Sequence, residues 1–213
     1  MLQLQLNRIV NFAVWLLIVS FFLIKFACAS ILFEPYLGYS LMGRIEKKMD
    51  ENGPSHRWKY FSPGLGARVG FDYSGIFMGG ELGVMLQEWN GMEPITSGVN
   101  DTTQEITMNY LGFFLGYFTT AGVSFRATYV IQSSFKKGDD NGPYSKDDAY
   151  HGMGYALAIG YRVISLLAVN LEFRSFFLNS IDVDAEKTTH DLDHDRGVSV
   201  NEVFLSFSTP LIL

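Results

Sequence analysis

LGARVGFDYSGIFMGGELGVML, residues 65–86, decides how the rest of the chain is read. Counted outward from Ser74-Gly75, alternate positions are apolar: Leu65, Ala67, Val69 and Phe71 on one arm, then Ile76, Met78, Leu82, Val84 and Leu86 on the other. Arg68, Asp72 and Glu81 take positions between them. Alternation sustained over this length marks β-strands, because successive side chains of a strand point to opposite faces. Two such arms around a Ser-Gly pair mark a hairpin. In a two-residue turn Tyr73 faces Ile76, and stepping back pair by pair sets Arg68 opposite Glu81. The arms thus make one apolar face and one face on which opposite charges meet.

The same period recurs in about eight segments, 34–43, 61–73, 76–88, 107–118, 122–135, 152–163, 167–179 and 198–208. Their connections alternate in length. Residues 74–75, 119–121 and 164–166 are tight, whereas 44–60, 89–106, 136–151 and 180–197 are long, polar and rich in turn signals such as Asn52-Gly53-Pro54 and Asn141-Gly142-Pro143. A water-soluble sandwich has no reason to gather every short turn at one end. An antiparallel barrel that crosses an outer membrane does, with strands of about 10 residues, short inner turns and longer outer loops. Closed pairing satisfies the backbone in lipid without a spanning helix.

The two faces sharpen that choice. Leu167, Val169, Leu171, Phe173 and Phe177 share one face of the seventh segment, and Ala168, Asn170, Glu172 and Arg174 the other. In the fifth, Val123, Phe125, Ala127, Tyr129 and Ile131 stand against Ser124, Arg126, Thr128 and Gln132. Glycines 64, 66, 70, 79, 83, 112, 116, 154 and 160 fall on the polar face. A narrow lumen needs small residues beside large ones, so the polar face is expected inside and the apolar face against lipid. Tyr36, Tyr39, Trp58, Tyr60, Tyr73, Trp89, Tyr117, Tyr129, Tyr150 and Tyr161 lie mostly near strand ends, as the aromatic girdles of a membrane barrel do. The expected architecture is an all-β, eight-stranded, up-and-down transmembrane barrel over residues 30–213.

Residues 1–29 read as a cleavable signal peptide: Arg8 gives a positive start, 12–24 is an apolar run, and Ala27-Cys28-Ala29 has small-x-small spacing before Ser30. The run is shorter than the roughly 18 residues of a spanning helix. Cys28 is the single cysteine, so the expected mature chain has no disulfide, thiolate nucleophile or cysteine metal site. Removal of the leader takes away two bases and no acid, leaving 14 bases against 22 acids, a net charge of about −8. An acidic chain with scattered bases excludes a nucleic-acid partner. At 48% hydrophobic and 15% aromatic residues, disorder is excluded too.

Tyr36-Leu37-Gly38-Tyr39, residues 64–71 (GLGARVGF), residues 155–161 (YALAIGY) and residues 203–207 (VFLSF) together resemble the small eight-stranded outer-membrane barrels of Gram-negative bacteria, the group of the OmpA transmembrane domain, OmpX and OmpW. The resemblance implies residence in the bacterial outer membrane and insertion by the barrel assembly machinery, which in this group reads a terminal aromatic. This chain ends Pro210-Leu211-Ile212-Leu213. There is no room for the peptidoglycan-binding domain of OmpA-type proteins, so wall anchoring is not implied.

About eight strands enclose an interior just filled by side chains. Arg68, Glu81, Arg126, Arg162, Glu172, Arg174 and Glu202 are therefore expected to fill the lumen as an ion-pair network. Arg44, Lys47, Lys48, Arg57 and Lys59 in the first long loop are candidate contacts to lipopolysaccharide phosphates, diluted by Glu46, Asp50 and Glu51. Asp191, Asp193 and Asp195 fit the first places of a calcium loop, but the sixth place, where glycine is needed, holds Arg196; an acidic solvated loop is the plainer reading. His190 and His194 would converge on a metal only if helical. Enzymes on this architecture, the lipid A-modifying barrels, use His with Ser and an acid near the outer rim. His151 is followed by Gly152-Met153, and the sequence places no serine beside it, so no catalytic residue and no cofactor is expected. The leading function is a monomeric, non-enzymatic membrane protein acting structurally or through its outer loops, in contact with outer-membrane lipid and lipopolysaccharide. A narrow pore for small solutes is the alternative.

Overall fold

Ser74 and Gly75 turn the chain with φ of 54° and 86°. Two consecutive positive φ values are what a type I′ turn needs to match the twist of its strands. The arms of this hairpin, β2 (Ser55–Tyr73) and β3 (Ile76–Met92), pair with Tyr73 opposite Ile76 and Arg68 opposite Glu81, the register read from the sequence. The computed structural model describes residues 29–48, 55–92, 103–137, 149–183, 188–191 and 197–213. The leader expected over 1–29 lies outside them except for Ala29.

The other strands are β1 (Ser30–Lys48), β4 (Thr103–Phe118), β5 (Val123–Lys137), β6 (Ala149–Ile164), β7 (Leu167–Val183), β8 (Thr188–Asp191), β9 (Val198–Ser208) and β10 (Leu211–Ile212). Each of β1 to β7 pairs antiparallel with the next, and β9 pairs with both β7 and β1. Eight strands therefore close on themselves. The two short strands extend this frame. β8 folds back on the outer end of β7. β10 continues β9 along β1 in unbroken register, and Leu213 exchanges backbone hydrogen bonds of 3.0 and 2.9 Å with Ile31. Pro210, between β9 and β10, has no N–H to offer and is a residue suited to a strand edge.

The apolar face is outside. Leu65 is 58% exposed, Leu82 52%, and Phe113, Leu157 and Phe173 stand out beside them. In β2 the outward row runs from Phe61 to Phe71, 11 residues, the length a tilted strand needs to cross a hydrocarbon core. An apolar exterior around a charged interior inverts a soluble protein and fits a bilayer.

Beyond this belt the strands do not stop. β1 and β2 are 19 residues each, and their pairing continues to Lys48 opposite Ser55. Asn90 faces Thr103, Lys136 faces Ala149, and Val183 faces Thr188. Parts of the segments expected as loops are thus β-ribbons. Above the belt the outward face meets water instead of lipid while Ile45, Ile106 and Tyr150 stay buried inside, so the outward apolar row ends although the backbone pairing persists.

Candidate functional site

The polar face converges at mid-height in one connected cluster. Glu34, Arg68 and Glu81 form a row across β1, β2 and β3, with Arg68 Nη1 3.3 Å from Glu34 and Nη2 3.2 Å from Glu81. The same Nη2 spans the lumen to Glu172 Oε1 at 2.7 Å. Glu172 is the hub: Arg126 reaches Oε1 at 2.7 Å, Arg174 donates to Oε2 at 2.8 and 3.1 Å, and Ser206 donates at 3.2 Å. Arg174 also pairs with its cross-strand neighbour Glu202 at 3.4 Å, which accepts a hydrogen bond from Tyr60 at 3.1 Å. Arg68 and Arg174 are 0% and 1% exposed.

Small residues permit these reaches. Arg126 meets Glu172 over Ala158, which lies between them in register. Thr128 donates to Glu81 at 2.9 Å over Gly112, where a Cβ would come within 3.0 Å of the Thr128 methyl. Gly83 makes room for the Tyr110 ring, 2.5 Å from where its Cβ would stand. Tyr110 in turn donates to Glu81 at 3.3 Å and shares a 2.5 Å hydrogen bond with Tyr36, whose ring lies 4.1 Å from the Arg68 guanidinium carbon. Glu34, Tyr36, Tyr60 and Tyr110 belong to this cluster although their charge or ring did not mark them as lumen residues in the sequence. Tyr36, Tyr60 and Tyr150 are accordingly buried, not girdle residues, whereas Tyr39, Tyr117, Tyr129 and Tyr161 face outward.

Two apolar layers enclose the charges, so the interior is not polar throughout. Toward the long connections lie Ile45, Met85, Met108, Val130, Phe176 and Val200 with their neighbours; toward the short turns lie Leu32, Phe77 and Phe114 with Phe118. Low dielectric on both sides strengthens each ion pair and makes any unpaired member costly.

Arg162 departs from expectation. It makes no ion pair with the cluster but stacks on Phe118, its guanidinium carbon 4.7 Å from the ring centroid, near the short turn between β6 and β7. Alternation along β6 gave its face correctly and could not give its height: Ala158 occupies the level at which Arg126 meets Glu172, and Arg162 lies four residues nearer the mouth.

At the outer rim, Arg44 is exposed and touches Glu46 at 3.5 Å. The register sets Lys59 opposite Arg44, Arg57 opposite Glu46, and places Lys47 and Lys48 at the end of β1. Asp191 stands in strand β8 opposite Ser180 and not in a loop, while Asp193, Asp195 and His194 lie outside the described residues. Among the described residues no group of three or more His, Cys, Asp or Glu side chains converges as a metal site. His151 Nε2 lies 2.9 Å from Asp182 Oδ2, and Ser180, opposite His151 in register, donates toward the His151 carbonyl at 3.5 Å. The sequence hid this grouping because Ser180 lies 29 positions beyond the histidine it faces. The hydroxyl bonds the backbone there.

Solved structures with this architecture include Neisserial surface protein A, with a TM-score of 0.50 and 12% identity over 84% of this chain and 96% of that one. They also include Ail, the attachment invasion locus protein of Yersinia pestis, solved with the heparin analogue sucrose octasulfate: TM-score 0.50, 11% identity, 85% of this chain and 99% of that one. The chain has the fold of the small outer-membrane β-barrels. No protein-family model matches it, and no curated protein matches it by sequence. At these identities the likeness carries the architecture, an apolar belt around a closed eight-stranded wall, and leaves activity to the residues.

Proposed function

We propose that this outer-membrane barrel is a non-conducting, non-enzymatic membrane protein that works by presenting its outer hairpins at the cell surface. The observation that carries the reading is the order of layers in the lumen. An apolar floor, an ionic layer centred on Glu172 and an apolar upper layer succeed one another, while β1 to β7 continue past the belt as ribbons. An ion crossing this interior would have to shed its water twice and displace a guanidinium that already holds a carboxylate. Purified protein in planar bilayers is expected to show at most small, infrequent openings. A large, steady conductance would give the narrow-pore reading first place.

The surface role brings the ribbons against the outer leaflet. Arg44, exposed above the outward-facing Leu41 and Met42, stands where a phosphate of lipopolysaccharide can meet a guanidinium, with Lys47, Lys48, Arg57 and Lys59 on the same two strands. Arg44→Glu is expected to reduce the lipopolysaccharide that copurifies with the barrel, measured by native mass spectrometry. Unchanged retention would remove this contact from the proposal.

A further inference from the structure

Among the arginines whose side chains are described, Arg44, Arg68, Arg126 and Arg174 each have a carboxylate within ion-pair distance, and Arg162 has none. Its Nε and Nη2 are both shielded from solvent and have no hydrogen-bond partner. Those two nitrogens form the side-on edge of a guanidinium, two parallel N–H groups spaced to take two oxygens of one carboxylate or phosphate. The Phe118 ring under the guanidinium carbon satisfies the positive charge in part but accepts neither N–H.

The surroundings fix this group instead of satisfying it. Phe118 is itself stacked on Phe77, ring centroids 4.4 Å apart, and Phe77 packs on Phe114. The Arg162 backbone N–H donates to the Gly122 carbonyl at 2.8 Å, tying the end of β6 to the neighbouring tight turn. The side chain is half-buried, two residues before the end of β6, at the short-turn mouth of the lumen. A buried, unpaired N–H on a charged group calls for a partner, and a half-buried guanidinium two residues from the end of β6 can receive one once it turns toward the short-turn end.

We propose that Arg162 is an oxyanion-docking residue at the short-turn mouth of the barrel, taking a phosphate or carboxylate side-on through Nε and Nη2. Entry requires the guanidinium to swing off the wall about its terminal torsions while the Phe118 ring stays beneath it. The ligand class follows from the fork, which matches paired oxygens and offers no acceptor. Two sources can present the same chemistry at this height, a free anion at the mouth or the phosphate of an inner-leaflet lipid headgroup.

The test uses the whole folded barrel with nitrogen-15 arginine, the Arg162 Nε–H resonance being assigned by its loss in Arg162→Lys. In maltoside micelles, which carry no phosphate, inorganic phosphate is added; in a second set without added phosphate, phosphatidylglycerol is titrated into the micelles. A saturating shift of Arg162 Nε–H in the first set alone assigns a free anion. A shift in the second set, alone or with the first, assigns the lipid phosphate. In both cases Arg68, Arg126 and Arg174 are expected to stay unmoved, because each is buried and already has a carboxylate within ion-pair distance. No shift of Arg162 in either set, or equal shifts of all four arginines, overturns the proposal. Phe118→Leu keeps the mouth apolar and removes the stack, and is expected to weaken the titration while leaving the other three resonances in place.

Discussion

Glu172→Ala is expected to destabilise the barrel by about 3–5 kcal/mol, the cost of leaving buried charge without its partner. Glu172 holds Arg68, Arg126 and Arg174 at 2.7 to 2.8 Å and is 1% exposed, so the loss falls on three guanidinium groups at once. The apolar layers above and below restrict the water that could compensate. Urea unfolding in lipid vesicles measures the loss. Replacing Glu172 by Leu together with Arg126 by Met should cost less than the two single changes summed, because the second removes a charge the first has stranded. Arg68 and Glu81, 3.2 Å apart on paired strands, should couple in the same sense: Arg68→Ala with Glu81→Ala should cost less than the two singles. Strict additivity in these cycles would mean that the cluster is held by packing alone and that its charges do not hold one another.

The hairpin at Ser74-Gly75 shows why so much of the fold was legible. Both arms alternate without a bulge, the turn residues suit positive φ, and one register follows from the turn, so the Arg68–Glu81 pairing could be read by counting. The outer ends were less legible. From Arg44 to Lys48 only Ile45 is apolar, and a paired ribbon with a single apolar residue has nearly the composition of a loop. The lumen failed for a related reason. Met85, Met108, Phe176 and Val200 point inward, yet an inward apolar residue beside an outward apolar residue leaves no contrast of face. Height is the quantity alternation cannot supply. Arg162 and Glu172 both face in, but only the pairing of β6 with β7 places Glu172 opposite Ala158 and Arg162 opposite Ala168, four residues lower. Thr128 was legible as an inward residue and not as a partner of Glu81, because that contact crosses an intervening strand at Gly112.

Leu82→Arg tests which solvent the apolar face meets. Leu82 lies midway along the outward row of β3, between Ala67 of β2 and Leu111 of β4, and more than half of its surface is exposed. In water, an exposed leucine replaced by arginine changes stability by no more than about 0.5 kcal/mol in most proteins. At a bilayer midplane the guanidinium must be carried into hydrocarbon, at a cost of about 2–4 kcal/mol that falls to roughly 0–1 kcal/mol near either interface. Ile76 and Leu86 stand on the same row toward its two ends. Refolding Ile76→Arg, Leu82→Arg and Leu86→Arg into lipid vesicles should therefore give a peaked series, with the central substitution the most damaging and the terminal pair close to wild type. A uniform series near zero would place the outward face against water. A peak at Ile76 or Leu86 would shift the belt along the strand, and with it the depth of Arg162 relative to the inner headgroups and of Arg44 relative to the outer ones. The peak at Leu82 ties the three levels of the lumen to the membrane: the Glu172 hub then lies at the depth where water is scarcest and its ion pairs are strongest, and the half-buried Arg162 and the exposed Arg44 lie toward the depths where lipid phosphates are found.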